Sequence, residues 1–460
     1  MNQIIKRTVG LISRNYLWLA ACLSGLVAYL NYHATAMQAI LPYYQDYKRI
    51  ILAGFDPTVA LHGTPTFPMW GYGWMYVLTE NHVALLIIQI GLALLSVAVL
   101  IRHIEQRELL SARGVAAVKL LLVISLPWYA YQTVRWPYSI ALSLFILSFV
   151  FLHRGVTAER FSLRQLVLSG ALFGLALNFR SDYYLMPVGF AVAICWCSRP
   201  VFRSLGRVAI WAVTVYAMLT PWLLYTRHVT GHALLTSTNG GAVLFIGLGT
   251  CPDNKWGITP RDEDPIMHGL IREHFGQPKS FVVYETDGFL KREFLKRVVE
   301  DPVEYLRKCG CAAWSILRYG VWHGEFLRTS DEEEEGTGTL RAEAPKFIHA
   351  PWPYYENHGL GGVIRLALEV LSKGIGYLIV CPAFLLLPLL LIWAIWRREL
   401  FWLLLALAIC YQSTLQILTN TMPAYTANMY LFHLLNLVLG CCLIQQAVSG
   451  WSARRRLKNQ

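Results

Sequence analysis

Four charged residues stand out as candidates for chemistry: Asp46, Arg135, Arg180 and Asp182. Asp46 lies in Pro42–Pro57, beside Tyr43 and Tyr47, directly after the first strongly apolar segment. A carboxylate just outside a membrane can take a proton from a hydroxyl. Arginines at the same level can bind a phosphate with their planar fork as it gains charge. Arg180 and Asp182 come together in Asn178-Phe-Arg-Ser-Asp-Tyr-Tyr184, and Arg135 lies in the segment Tyr129 to Tyr138. Each has a plainer reading. Asp46 can pair with Arg49 at i+3 as a surface salt bridge, Arg180 with Asp182 as an internal ion pair, and Arg135 can anchor to lipid phosphate.

These residues need elements to hold them, and composition names the class. The 460 residues are 55% hydrophobic, 13% aromatic and only 15% charged, against about 25% charged in a soluble protein. Apolar runs recur near 16–33, 83–101, 114–130, 136–152, 166–179, 184–197, 207–226, 374–396, 401–418 and 429–447. The expectation is a polytopic α-helical membrane protein with about ten transmembrane helices. The N-terminal run lacks small residues at its end and reads as a retained helix.

The net charge of +12 is a matter of topology; nucleic acid is not expected as a partner. Basic patches near Lys6, Arg102, Arg154, Arg199, Arg397 and Arg454 fall on one side if all ten runs span. By the positive-inside rule that side, with both termini, is cytoplasmic. Asp46, Arg135, Arg180 and Asp182 then share the outer face. The absence of an N-x-[ST] sequon favours a bacterial inner membrane.

The division expected is a catalytic membrane module over 1–226 with its first outer loop at 34–82, an outer domain over 227–373, and C-terminal helices with a basic tail over 374–460. The Trp/Tyr-rich tract His62–Trp74 reads as interfacial anchoring. In the outer domain, Leu235–Gly247 reads as a turn and buried strand, and Phe281–Tyr305 as an amphipathic helix restarted at Asp301-Pro302. That gives a mixed α/β domain between helices 7 and 8. The acidic run Asp331–Glu335 reads as a solvated loop. Cys251 can pair with Cys309 or Cys311 in an oxidising compartment.

The order of these motifs resembles the GT-C glycosyltransferases, in particular the bacterial relatives of protein O-mannosyltransferases and of the lipid A aminoarabinose transferase. It runs through most of the chain. It rests on Asp46 followed by Ala53-Gly54, on Leu177-Asn-Phe-Arg180, on Thr236-Ser-Thr-Asn-Gly-Gly241 and on Asp301-Pro-Val-Glu-Tyr305. The chain departs from the family at Gln45, where an acidic residue often precedes the Asp, and at Ser181, where a proline follows the Arg. The late arginine of the family is missing beside Pro423-Ala-Tyr425.

The resemblance implies inverting transfer of a sugar from a polyprenyl-phosphate donor to a glycan, lipid or protein hydroxyl. Asp46 would be the base, Arg135 and Arg180 the donor-phosphate ligands, and Asp182 an orienting partner. Tyr43, Tyr47, Asn239, Gly240 and Gly241 would contact substrate. No cofactor is specified, and a divalent cation stays open. Two alternatives stand beside this reading: a surface-polysaccharide polymerase or ligase, and a lipid-linked-sugar flippase.

Overall fold

The computed structural model describes residues 2–32, 41–60, 65–67, 69–79, 81–133, 137–159, 161–198, 200–319, 351–420 and 429–458. The regular elements among them are all helical. Seven helices are long and apolar enough to cross a membrane, or eight if one bent pair counts as a span. The chain is therefore a polytopic helical membrane protein. The seven are carried by α1 (Asn2–Tyr32), α4 (His82–Gln106), α7 (Pro137–Thr157), α10 (Val201–Thr230), α15 (Pro351–Arg397), α16 (Leu400–Leu418) and α17 (Tyr430–Lys458).

The expected ten spans need revision at two places. The run at 114–130 is broken into α5 (Ala112–Val123) and α6 (Leu126–Thr133), bent by 56°. Pro127 follows the break, and the bend leaves Gln132 buried against Gln89 and Ser139. The runs at 166–197 become α8 (Leu163–Phe179) and α9 (Met186–Cys197), both short of the roughly 20 residues of an upright span. The expected boundary at 374 falls inside α15.

Helix α8 sets the depth of Arg180, which follows it directly. Gly170 and Gly174 face α10 four residues apart. A Cβ on Gly170 would lie 2.7 Å from the Trp211 carbonyl oxygen, and one on Gly174 would lie 2.7 Å from that of Val215. Small residues at this spacing let two membrane helices approach backbone to backbone. At the end of α8, Asn178 donates to the Met218 carbonyl (3.1 Å) and accepts from the Trp70 indole (2.7 Å). Trp70 also stacks on Tyr225 with centroids 5.6 Å apart. It is thus a buried core residue rather than an interfacial anchor.

The domain expected outside the membrane is helical among its described residues, which form no strand of a mixed α/β fold. The expected strand is α11 (Gly240–Gly247), which packs on α13 (Tyr284–Glu300) with α12 (Pro265–Phe275) alongside. An apolar run of this length fits either structure by period. The choice is made from a distance: Asp287 Oδ1 accepts the Gly241 N–H at 2.6 Å and caps the helix. The restart at Pro302 is as expected, and it opens α14 (Pro302–Tyr319). Cys251 pairs with Cys311, leaving Cys309 a free thiol. The acidic run Asp331–Glu335 lies outside the described residues.

The domain is seated on the bundle by polar contacts to the end of α16. Lys308 is buried and donates to the carbonyls of Ile417 and Thr419, and Tyr305 donates to Leu418 (3.0 Å). Burial pushes the Lys308 amine down to about 8, while the exposed carbonyls of a helix C-terminus favour its charged form.

The α8–α10 contact gives the first prediction. Gly174→Val should lower stability by roughly 1–3 kcal/mol or more, because it must push two backbones apart. Gly269→Ala, on α12 with nothing within 4 Å of its Cβ, should be neutral or gain up to about 1 kcal/mol. Thermal unfolding of both in detergent checks this. Unchanged melting of Gly174→Val would contradict the close approach.

Candidate functional site

Arg180 ends α8 and leaves it in extended conformation (φ −147°, ψ 115°). The turn after it, Ser181–Tyr183, is a single 3₁₀ turn. Tyr183 anchors that turn by burying its ring against Phe145, centroids 5.1 Å apart. The Tyr411 hydroxyl donates to the Asp182 carbonyl at 2.7 Å and fixes the turn to α16.

So held, the Arg180 guanidinium is fully oriented. Its Nε and Nη2 donate to the two oxygens of Asp182, at 2.9 and 2.6 Å. The guanidinium carbon lies 3.5 Å from the centroid of the Tyr138 ring. A bidentate carboxylate on one edge and an aromatic face beneath are the arrangement an arginine takes when its plane matters. Asp182 has both oxygens committed, which suits an orienting partner better than a base.

These groups line a cavity of about 410 Å³ between the bundle and the outer domain. Phe67 and Met69 of the first loop, Tyr138, Gln412 and Gln416 close it from the bundle. Thr236, Ser237, Asn239, Gly240 and Lys291 close it from the outer domain. Gln412 is buried, and its Nε2 makes no hydrogen bond among the described residues. Among the described residues the cavity's charged lining is two cations, Arg180 paired with Asp182 and Lys291 paired with Asp287, and one carboxylate, Asp182.

The structure thus brings together Arg180, Asp182, Asn239 and Gly240. It places the other candidates elsewhere. The Gly241 N–H, expected to meet substrate, is taken by Asp287; a Cβ there would stand 2.2 Å from the Asp287 carbonyl oxygen. Tyr47 is buried and donates to the Pro65 carbonyl at 2.9 Å, so it holds the loop and does not face the cavity. Arg135 and the side chain of Tyr43 lie outside the described residues.

Asp46 is absent from the described cavity wall. It pairs with Arg49 at 3.4 Å, yet its side chain is 2% exposed while that of Arg49 is 45% exposed. That is not the solvated surface pair of the plain reading. A carboxylate withdrawn from water is costly unless it is well satisfied or used. Asp46 sits on α2 (Leu41–Leu52), which packs on α3 (Gly71–Leu78). By contrast, Asp56 is an ordinary turn residue whose carboxylate caps Thr58.

Lys291 and Gln412 were not candidates from sequence. Lys291 stands four residues after Asp287 on one helix face and binds it at 2.6 Å, a spacing readable in the sequence. Nothing local distinguishes Gln412 from other polar residues of an apolar helix. Among the described residues no three His, Cys, Asp or Glu side chains gather as a metal site. The chain matches no protein-family model, no curated protein and no solved structure.

Proposed function

We propose that the chain is a membrane glycosyltransferase that takes a sugar from a polyprenyl-phosphate donor. The observation that carries this is Arg180, held by Asp182 and set over the Tyr138 ring, in the wall of a cavity shared by membrane helices and a water-facing domain. A lipid phosphate reaches such a place from the bilayer, and a hydroxyl acceptor reaches it from water. Arg180 pairs with Asp182 and Lys291 with Asp287, so a phosphate there is held by charge-assisted hydrogen bonds from these two cations rather than by an excess of charge. Gln412 Nε2 is a further donor.

In this reading the acceptor oxygen attacks the anomeric carbon opposite the phosphate. The bond from that carbon to the phosphate oxygen breaks, and its electron pair leaves on the polyprenyl phosphate. Arg180 balances the charge that develops. We assign the acceptor proton to Asp46 from its place in the sequence; Asp46 is not in the described cavity wall, and as base it must come within a hydrogen bond or one water of the attacking hydroxyl. Attack opposite the leaving group inverts the anomeric centre.

The orientation we propose puts the basic patches and both termini in the cytoplasm of a bacterial inner membrane. The outer domain then faces an oxidising space. The Cys251–Cys311 disulfide supports that placement.

Two results are expected. A strain lacking the protein should accumulate a polyprenyl-phosphate sugar detectable by mass spectrometry, and the wild-type chain should clear it. Asp46→Asn should fail to clear it, since loss of a general base costs about a hundredfold to ten-thousandfold; Asp56→Asn should succeed. If Asp46→Asn retains more than about a tenth of the wild-type rate, the carboxylate is structural. Arg180→Lys keeps the charge but loses the fork, and should also fail at equal protein level. Full turnover by Arg180→Lys would make the Arg180–Asp182 pair a fold element. A deletion strain with unchanged lipid-linked sugars would overturn the functional reading.

A further inference from the structure

A second cavity of about 550 Å³ adjoins the first. The two share Thr236, Ser237 and Lys291 in their walls. The difference lies in what closes them. The second is lined entirely by residues between Ala233 and Arg292, after α10 has ended at Thr230. Among the described residues no membrane helix contributes to it, so its ligand arrives from water.

Its chemistry differs from that of the first. Glu285 and Asp287 offset Lys291 and Arg292, so the charged lining sums to zero. Hydroxyls of Thr236 and Ser237 add donors and acceptors, and Tyr284 adds an aromatic face stacked on His232 at 4.9 Å. A neutral ligand with many hydroxyls satisfies such a wall, giving hydrogens to the carboxylates and accepting them from the cations. An extended peptide would use a free sheet edge, and the described residues form no strand.

The wall is also coupled to the first outer loop. Thr238 donates its N–H to the Thr66 carbonyl at 3.2 Å, and the two threonine hydroxyls lie 2.8 Å apart. Tyr47, next to Asp46, binds the adjacent Pro65. The second cavity is thus connected by backbone to the helix that carries the proposed base.

We infer that this second cavity is the acceptor subsite, and that the acceptor is a saccharide whose attacking hydroxyl passes Lys291 into the first cavity. The inference rests on the glycosyltransferase reading. The bond changes are those already given: the acceptor oxygen bonds to the anomeric carbon, its proton goes to the base, and polyprenyl phosphate leaves with the electron pair of the broken bond.

Gly288 offers a direct test. It lines the second cavity, and a Cβ there meets nothing within 4 Å. Gly288→Trp should therefore fill the cavity without disturbing the helix. Expected are wild-type melting, wild-type affinity of the purified chain for undecaprenyl phosphate, and a lipid-linked sugar at least tenfold above wild type in cells. Gly269→Trp, at a similarly open site away from the cavity, should clear the lipid normally. Arg292→Gln, which leaves the fold's packing intact, should slow clearance about fivefold with undecaprenyl phosphate affinity unchanged. Normal clearance by both Gly288→Trp and Arg292→Gln overturns the subsite. So does a Gly288→Trp protein that has lost undecaprenyl phosphate, because the cavities would then not be separate. Loss of sugar from a protein rather than from a glycan in the Gly288→Trp strain overturns the saccharide assignment. If the deletion strain accumulates no lipid-linked sugar, the glycosyltransferase reading itself fails, and the subsite with it.

Discussion

The geometry of the site depends on one short stretch of backbone, Pro65–Thr66. The hydroxyls of Tyr47 and Tyr225 both donate to the Pro65 carbonyl at 2.9 Å. The Thr66 carbonyl and hydroxyl bind Thr238 of the outer domain. Three side chains and one backbone N–H from α2, α10 and the outer domain therefore meet on two residues. Each buried polar group there would be costly to leave unpaired, so the three parts are held in one relative position. Phe67 and Met69, which follow, enter the cavity wall already placed.

The membrane side is fixed by different physics. Lipid gives no hydrophobic gain for helix association, so α8 and α10 are joined by close approach at Gly170 and Gly174 and by Asn178. That contact delivers Arg180 to the end of α8 at a set height. On the water side, a hydrophobic core around Phe245, Phe289 and Leu290 holds α11 against α13, and Lys308 seats the domain on α16. Two solvents thus stabilise two halves, and the cavity forms where they join.

Much of this was readable along the chain. The membrane class followed from the apolar runs, and the break between α13 and α14 followed from Asp301-Pro302. Arg180 and Asp182 were visible as a candidate pair, and the structure joins them as an ion pair in the cavity wall. What escaped was decided by distant partners. The strand expected at Leu235–Gly247 became a helix because Asp287, 46 residues on, caps Gly241. Trp70 left the interface for the core because Asn178, 108 residues away, accepts its N–H. The exact number of spans depended on the bend after Val123, where an apolar run continues across a broken backbone. Lys291 entered the site through tertiary packing alone.

The central claim is that Arg180 binds a lipid-borne phosphate. The most direct test compares undecaprenyl phosphate with undecaprenol, the same lipid without the charge, in binding to the purified full-length chain. Hydrogen bonds to a charged group are worth about 1.5–3 kcal/mol, or roughly 10- to 150-fold in affinity. Wild type should prefer the phosphate by that factor, and Arg180→Gln should bind the two lipids nearly equally. Equal binding by the wild-type chain, or an undiminished preference in Arg180→Gln, would contradict the account.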